Sequence, residues 1–240
     1  MTEFLTFVLA APLAAMGEIA VGERRGSWDR PGRSAVLGLI AAALGLDRQD
    51  EQAHSALETG FGLALRVQHV GTLLPDYHTA QVPPARRGRR FATRAAELSA
   101  PDLETILSRR DYRTDVLALA ALWSRPGACW PLLEIETALR APFYTPYFGR
   151  KSCPLMLPLK PQRIEATDPI AALAHRADNG PEPERQILRL RSAAAVTMTA
   201  ADAPDFGLLI QRIEMRRDAL TSRRRWQFAL REEALLSEDP

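Results

Sequence analysis

Residues 142–154 concentrate aromatic, basic and conformationally restricted residue types, and read Pro-Phe-Tyr-Thr-Pro-Tyr-Phe-Gly-Arg-Lys-Ser-Cys-Pro. Proline keeps such a backbone extended or turned, and Gly149 permits a positive φ or a close approach to another segment. Aromatic rings on a rigid loop can stack on unpaired bases, while Arg150 and Lys151 can bind phosphates. The segment therefore indicates single-stranded RNA binding. The alternative is a proline-rich connection whose aromatic rings cover the core.

A second group of candidates lies in the sequence Asp76-Tyr77-His78-Thr79. His78 is a candidate general base with Tyr77 as its partner. A histidine with a purely structural hydrogen bond is the alternative interpretation. The other histidines have no spacing typical of metal ligands, and the chain has no Walker loop, Gly-x-Gly-x-x-Gly or Ser/His/Asp pattern. We therefore expect no metal site and no cofactor.

The charge of the chain is nearly balanced, with 31 basic and 29 acidic side chains and a formal net charge of +2. This balance excludes a uniformly basic nucleic-acid-binding domain. Every basic residue except Lys151 and Lys160 is arginine, which a GC-rich genome explains and which bidentate phosphate recognition would also favour. The basic residues cluster in four windows, 22–33, 81–113, 143–163 and 212–231. Their positions, and not their total, favour a surface for an anionic partner.

The length of 240 residues and the apolar content of 46% predict a soluble chain with one large domain or a domain with a small appendage. Cys129 and Cys153 are too few for a disulfide framework, so we expect a reduced, cytoplasmic protein. The apolar residues 4–16 follow Glu3, where a signal peptide needs positive charge. We interpret them as a buried strand, and no apolar run is long enough to span a bilayer.

The hydrophobic pattern predicts helices and strands with a break in the middle of the chain. Ser34 is the expected cap of the first helix, while Pro131 and the pair Asp168-Pro169 mark two later helix starts. Residues 82–113 carry eight arginines and predict an inserted arm. The predicted helices cover 34–46, 50–58, 132–140 and 168–174, and the predicted strands cover 3–10, 61–70, 73–81, 114–123, 159–166, 186–191, 207–215 and 225–230.

This order predicts an α+β fold, with a ferredoxin-like βαββαβ domain over residues 1–178 and the arm inserted beside its third strand. Residues 179–240 are expected to form a small β-rich C-terminal region. The ferredoxin-like fold hosts many functions, and the common RNA-recognition module is one of them. The architecture alone therefore does not decide the activity.

Residues 144–155 resemble the motif Tyr-Thr-Pro-Tyr-Leu-Gly-Arg-Arg-Ser-Cys-Pro-Leu of the fifth Cas family, in its type I-E or CasD branch. This CRISPR-associated family is part of the RAMP superfamily. The resemblance covers residues 3–230, with further matches at 11–13, 32–39, 76–79, 104–106 and 167–169. Ala14 and Met16 depart from the family's Gln and Trp, and residues 81–103 align poorly.

The resemblance implies a ferredoxin-like (RRM-like) body with a β-hairpin thumb at about 82–113. It implies a non-catalytic subunit of the type I-E Cascade surveillance complex, which acts in antiviral defence. Such a subunit binds the 5′ handle of the CRISPR RNA, caps one end of the CasC backbone and contacts the large subunit CasA. It meets the other Cascade subunits and target DNA indirectly, and it has no membrane partner.

Carried over to this sequence, the resemblance places RNA-binding residues at three positions. Arg33 and Ser34, at the start of the first helix, would bind a phosphate, with Tyr77 and His78 nearby. Arg109, Arg110 and Arg113 would lie on the returning strand of the thumb. The handle site itself would contain Tyr144, Tyr147, Gly149, Arg150, Lys151 and Ser152.

An alternative function remains, because type I-C relatives of the family cut precursor CRISPR RNA. A metal-independent endoribonuclease needs a base, an acid and a cation around a 2′-hydroxyl. His78, Tyr77 and Lys151 are the candidates for these roles. A generic interaction domain is a third interpretation, which the 144–155 motif disfavours.

Overall fold

The computed structural model describes residues 1–17, 20, 22–85, 88, 90–182, 184–192, 198–202 and 206–236. No helix in this described part is long and apolar enough to cross a membrane. The described elements are, in chain order, β1 Thr2–Ala14, β2 Arg24–Arg25, α1 Arg33–Ala43, α2 Glu51–Gly60, β3 Phe61–His69, β4 Thr72–Val82, α3 Arg94–Leu98, β5 Glu104–Ser124, α4 Leu132–Arg140, β6 Gln162–Ala166, α5 Pro169–Asn179, α6 Glu184–Ser192, β7 Met198–Ala201, β8 Ile210–Ser222 and β9 Gln227–Leu236.

The described strands form one sheet in the order β6-β1-β5-β3-β7-β9-β8. All neighbours along this path are antiparallel. β4 pairs antiparallel and β2 pairs in parallel with the first half of β5. The fold is therefore mixed α and β with a dominant antiparallel sheet, as the α+β prediction requires.

Both faces of the sheet are covered, which explains the continuous apolar run of β1. Leu5, Phe7 and Leu9 belong to a core that β1 shares with α1, α2 and α4. Phe4 and Val8 belong to a second core, on the side of α5 and α6. A strand buried on both faces reads as an uninterrupted apolar run, so the predicted strand at the start of the chain is confirmed.

Local start signals position two of the helices correctly and fail for α1. Pro131 precedes α4, and the Asp168 side chain accepts a hydrogen bond of 2.9 Å from the Ala171 N–H at the start of α5. The prediction that Ser34 caps the first helix is wrong. Gly32 is the N-cap residue and has no side chain that could accept a hydrogen bond. Instead, the carboxylate of Asp218 in β8 accepts a hydrogen bond from the Arg33 N–H at the start of α1.

The strand predicted over 186–191 is wrong, because these residues lie within α6. Apolar and basic residues alternate over residues 188–191 as in a strand, but so short a run does not exclude a helix. Leu188 is buried in the core on the side of α5, and Glu184 forms a buried ion pair with Arg176 at 2.7 Å. These contacts hold the segment as a helix. The strands that follow, β7, β9 and β8, continue the main sheet from β3.

A long β-hairpin, Thr72–Thr114, projects from the middle of the sheet. β4 pairs with the first half of β5 from Thr72↔Thr114 to Val82↔Glu104, and α3 lies in the connection at the tip. The outgoing strand therefore starts ten residues before the arm predicted at 82–113, while the returning strand lies within that range. Arg86, Arg87 and Arg89 of the predicted arm lie outside the described residues.

Candidate nucleic-acid interface

The 142–154 loop is fixed to the body of the protein by its backbone. The Phe148 N–H donates to the Cys153 carbonyl at 2.7 Å, and the Phe148 carbonyl accepts from the Ala15 N–H at 3.1 Å. Gly149 has a φ of +94°, and a Cβ at this position would overlap the carbonyl oxygen of Ala15. Glycine is therefore required both for the turn and for the close approach.

The aromatic residues of this loop divide between the core and the surface. Phe148 is 2% exposed and packs in the core beneath the loop, as the core-covering alternative expects. Tyr144 and Tyr147 are 49% and 41% exposed. Lys151 and Ser152 are exposed beside them. Phe143, the fourth aromatic residue of the loop, is 72% exposed. The loop thus anchors itself through Phe148 and presents the other three rings together with a cation.

The exposed tyrosines face a groove of about 1600 Å³. One wall is the 142–154 loop, the floor is α1, and the opposite wall is the β8–β9 hairpin. Of the residues proposed from the sequence, the groove brings together Ser34, Tyr144, Tyr147, Gly149 and Lys151. A single-stranded chain could lie between two such walls, because both the rings and the cation are open to solvent.

Arg150 does not line the groove with its neighbours. Its guanidinium carbon lies 4.6 Å from the centre of the Tyr112 ring, a cation–π contact at the base of the β4–β5 hairpin. Its Nη1 atom is buried and has no hydrogen-bond partner among the described residues. Arg150 therefore links the loop to the hairpin.

Arg33 is buried, which corrects the expectation that its side chain binds a phosphate. Its Nε donates to Glu58 at 3.0 Å, its Nη1 pairs with Asp202, and its Nη2 donates to the Phe61 carbonyl at 2.7 Å. Its backbone N–H donates to Asp218 Oδ2 at 2.7 Å. A carboxylate thus occupies the helix start where the phosphate was expected, whereas Ser34 remains half-buried at the groove.

A buried ion network holds the β8–β9 hairpin against the start of α1. Arg30 and Arg216 are each 1% exposed, and both pair with Glu233, at 2.7 and 3.1 Å. Burial alone would raise the pKa of Glu233, but the arginines around it hold that pKa below its ordinary value. The network therefore fixes the far wall of the groove with respect to its floor.

The β4–β5 hairpin carries the remaining candidates on two different faces. Tyr77 is paired with Arg109, and His78 with Ser108, so the adjacent Tyr77 and His78 side chains point to opposite sides. Arg109 donates to the buried carboxylate of Asp111 at 2.8 Å, and His78 pairs with Asp76. Both arginine positions of β2, Arg24 and Arg25, lie beside Arg109 and Arg110.

Arg113 lies at the base of the same hairpin. Its Nε donates to the Trp28 carbonyl at 3.2 Å and its Nη1 approaches the Gly71 carbonyl at 3.4 Å. These contacts tie the hairpin to the loop before α1. Arg110, in contrast, is exposed on the projecting part of the hairpin.

The relationship to known proteins follows from three comparisons. A family model described as CRISPR-associated protein (Cas5) matches residues 4–231. The chain belongs to the Cas5 family. It is 36% identical over 181 residues to the CRISPR system Cascade subunit CasD of Escherichia coli (strain K12), a match that covers 72% of this chain and 76% of the relative. The family resemblance carried by residues 144–155 is thereby confirmed.

Two solved structures show the same fold at lower identity. A chain of a CRISPR RNA-guided surveillance complex has a TM-score of 0.63 at 23% identity, over 97% of this Cas5 chain and 89% of its own. A Cas protein crystal structure has a TM-score of 0.57 at 22% identity, over 98% of this chain and 96% of its own. Their coverage includes the C-terminal strands as well as the body.

The groove in this Cas5 chain has further lining residues, on the β8–β9 hairpin and at Arg48 after α1, that the sequence reasoning did not name individually. These are Arg48, Arg217, Arg223, Trp226 and Phe228. The sequence feature that could have identified them is the run Arg223-Arg224-Arg225 followed directly by Trp226. It combines cations and an aromatic ring, as residues 144–151 do. No group of three potential metal ligands occurs among the residues that the structure describes.

Proposed function

We propose that this Cas5 protein is a non-catalytic RNA-binding subunit of a type I-E Cascade complex that holds the 5′ handle of the CRISPR RNA in antiviral defence. The observation that carries the proposal is the presentation of Tyr144, Tyr147 and Lys151 along one groove by a loop that Gly149 fixes. Stacking of a base on an aromatic side chain contributes about 1–3 kcal/mol, and it needs an exposed, pre-positioned ring.

The architecture supports the same proposal. The strand order β6-β1-β5-β3, with α1 and α2 between β1 and β3 and α4 between β5 and β6, agrees with a βαββαβ ferredoxin-like unit. The β4–β5 hairpin projects from the connection between its second and third strands. It has the position of a thumb, and Arg109 and Arg110 lie on its returning strand.

The proposed partners follow from the relative that is named a Cascade subunit. We expect the chain to cap the CasC backbone, to contact CasA, and to act in the cytoplasm. The β4–β5 hairpin is the part expected to fold over the guide RNA beside a CasC subunit. Its exposed Tyr77 and Arg110 are accessible for contacts with an RNA or protein neighbour.

The endoribonuclease alternative receives no support from the geometry. Tyr77 and His78 point to opposite sides of β4, so they cannot flank one 2′-hydroxyl as acid and base. Lys151 lines the groove between the loop and α1, whereas neither Tyr77 nor His78 does. The three groups that cleavage would need therefore do not share a site.

The decisive experiment incubates the purified full chain with labelled repeat RNA in the presence of EDTA. We expect binding without cleavage, and Tyr147→Ala combined with Lys151→Ala should weaken it at least about tenfold. Lys160→Ala is the matched control, because Lys160 is exposed and lies outside the groove. Cleavage by the wild-type chain would overturn the non-catalytic assignment, and absence of binding would overturn the RNA-binding function.

A further inference from the structure

The turn between β8 and β9 holds a tryptophan in an unfavourable backbone conformation. Trp226 has a φ of +58°, in the left-handed region where glycine or asparagine is usual, and its side chain is 52% exposed. The positive φ of Trp226 costs conformational energy, and this cost is not offset by burial of the indole ring, since the ring is exposed. Such outliers cluster at ligand-binding sites, where the strain is tolerated because the geometry is needed.

Two arginines lie against the indole of this residue. The guanidinium carbons of Arg223 and Arg48 are 4.3 and 4.5 Å from the centre of a Trp226 ring. Phe228 packs edge-on against Trp226 at 5.7 Å. The turn therefore presents an exposed aromatic ring with two guanidinium groups over it. A base that stacks on this ring in place of one guanidinium would have its phosphate beside both cations.

Arg223 has no acidic partner in the part of the chain that the structure describes. Its Nε is buried and makes no hydrogen bond there. Burial and the neighbouring Arg48 lower the pKa of Arg223, and the nearby Tyr147 opposes this. The positive charge of Arg223 is thus not balanced by a carboxylate among the described residues. Arg223 itself is half-buried and lines the groove that also contains Tyr147.

The turn is held rigidly by a residue of another element. Glu51, at the start of α2, accepts hydrogen bonds from the Ser222 hydroxyl at 2.9 Å and from the Arg224 N–H at 2.6 Å. It also accepts from the Arg223 N–H at 3.2 Å. The backbone of the turn is therefore positioned before any ligand arrives, and Glu51 makes no contact with the guanidinium of Arg223 or the ring of Trp226 among these hydrogen bonds.

We propose that the β8–β9 turn is a second nucleotide-binding element, in which Trp226 stacks on an unpaired base and Arg223 with Arg48 binds a phosphate of the same RNA strand. This inference rests on the proposed function, because it assigns the wall of the groove that faces the 142–154 loop. The RNA strand then passes between two aromatic walls, with Tyr147 on one and Trp226 on the other.

The test measures fluorescence anisotropy of labelled single-stranded repeat RNA with the full-length chain and its variants. Trp226→Ala should weaken binding by about tenfold or more, and Trp226→Phe should retain most of the affinity because the smaller ring still stacks. Circular dichroism checks that both variants fold. Equal affinities of Trp226→Ala and the wild type would overturn the inference.

A charge-matched pair separates a specific phosphate contact from general attraction. Arg223→Ala should reduce the slope of log affinity against log salt by about 0.7, the value for one phosphate contact on a single strand. Arg225→Ala removes the same charge from the same turn, but its side chain does not line the groove, so its slope should stay at the wild-type value. Equal slope changes in the two variants would contradict a defined contact.

The two proposals fail in different ways. If the wild-type chain binds and Tyr147→Ala weakens binding while the Trp226 and Arg223 variants do not, the second element is wrong and the RNA-binding function stands. If the wild-type chain does not bind the RNA, both are wrong.

Discussion

Asp218 Oδ2 accepts a hydrogen bond of 2.7 Å from the backbone N–H of Arg33, so that a side chain of β8 caps the first turn of α1. The same carboxyl group pairs with Arg231 at 2.6 Å. Gly32 provides the space, since a Cβ there would lie only 2.7 Å from Asp218 Oδ2. The floor and the far wall of the groove are therefore joined at one carboxylate.

Removal of this carboxylate should destabilise the whole protein. Asp218→Ala leaves the buried Arg33 N–H without its acceptor and removes the nearest of three carboxylates around Arg231, with Glu233 and Asp202 remaining. We expect a loss of about 3 kcal/mol in the free energy of unfolding. Urea unfolding followed by circular dichroism measures it. Glu3→Ala is the control, because its ion pair with Arg163 joins two side chains that are 44% and 36% exposed, and its loss should cost at most about 1 kcal/mol. Equal losses in the free energy of unfolding for the two variants would show that Asp218 does not link α1 to β8 in a way that stabilises the fold.

The hydrogen bonds between Glu51 and the turn that carries Trp226 should weaken in acid. Hydrogen bonds, the strongest from the Arg224 N–H, lower the pKa of Glu51 from its ordinary value of 4.5. A lowered pKa in the folded state means that Glu51 stabilises the fold fully above pH 4.5 and loses this effect as pH falls through the folded-state pKa. Glu51→Gln lacks this ionisable group, so its unfolding free energy should depend less on pH in the acid range than that of the wild type.

The difference in unfolding free energy between these two proteins should be constant above about pH 5.5 and should shrink below pH 4.5. Urea unfolding at a series of pH values measures it. A difference that stays constant down to pH 3 would contradict the role of the charged carboxylate. Glu165→Gln is a suitable control, because Glu165 is exposed.

Elements with strong local signals could be predicted from the sequence, and contacts between distant residues could not. Asp168 followed by Pro169 predicts the start of α5 because the cap and the helix are adjacent. Arg33 was misjudged because Asp202 and Asp218, which hold it, are 169 and 185 residues further along the chain. The 142–154 loop was identified through its composition, whereas its partner wall at Trp226 becomes visible only when β8 and β9 are placed against α1.

Gly149 should tolerate no side chain. Gly149→Ala meets both a positive φ and an overlap with the Ala15 carbonyl, and we expect a cost of about 3 kcal/mol or more. Gly127→Ala is a matched control, because Gly127 has a φ of +87° and open space around it. That variant should cost only about 1–2 kcal/mol from the backbone conformation. Equal costs in urea unfolding would mean that the close approach is unimportant.

Two adjacent residues of the loop should give opposite results. Phe148→Ala removes a buried ring and should lower the free energy of unfolding by about 3–5 kcal/mol. Tyr147→Ala removes an exposed ring and should leave stability within about 1 kcal/mol while it weakens RNA binding. Urea unfolding and RNA anisotropy on the same two variants distinguish them. Normal RNA affinity of a well-folded Tyr147→Ala protein would show that the tyrosine is not part of the interface.

The two faces of the β4–β5 hairpin lead to a prediction about RNA processing. A catalytic pair of Tyr77 and His78 would have to act on one atom, yet their side chains leave β4 in opposite directions. His78 also already pairs with Asp76 on its own face. His78→Ala should therefore leave the amount of mature CRISPR RNA unchanged in cells that carry the complete complex, as measured by hybridisation. Gel filtration of the complex is the control for assembly, and loss of mature RNA from a normally assembled His78→Ala complex would establish this chain as the nuclease.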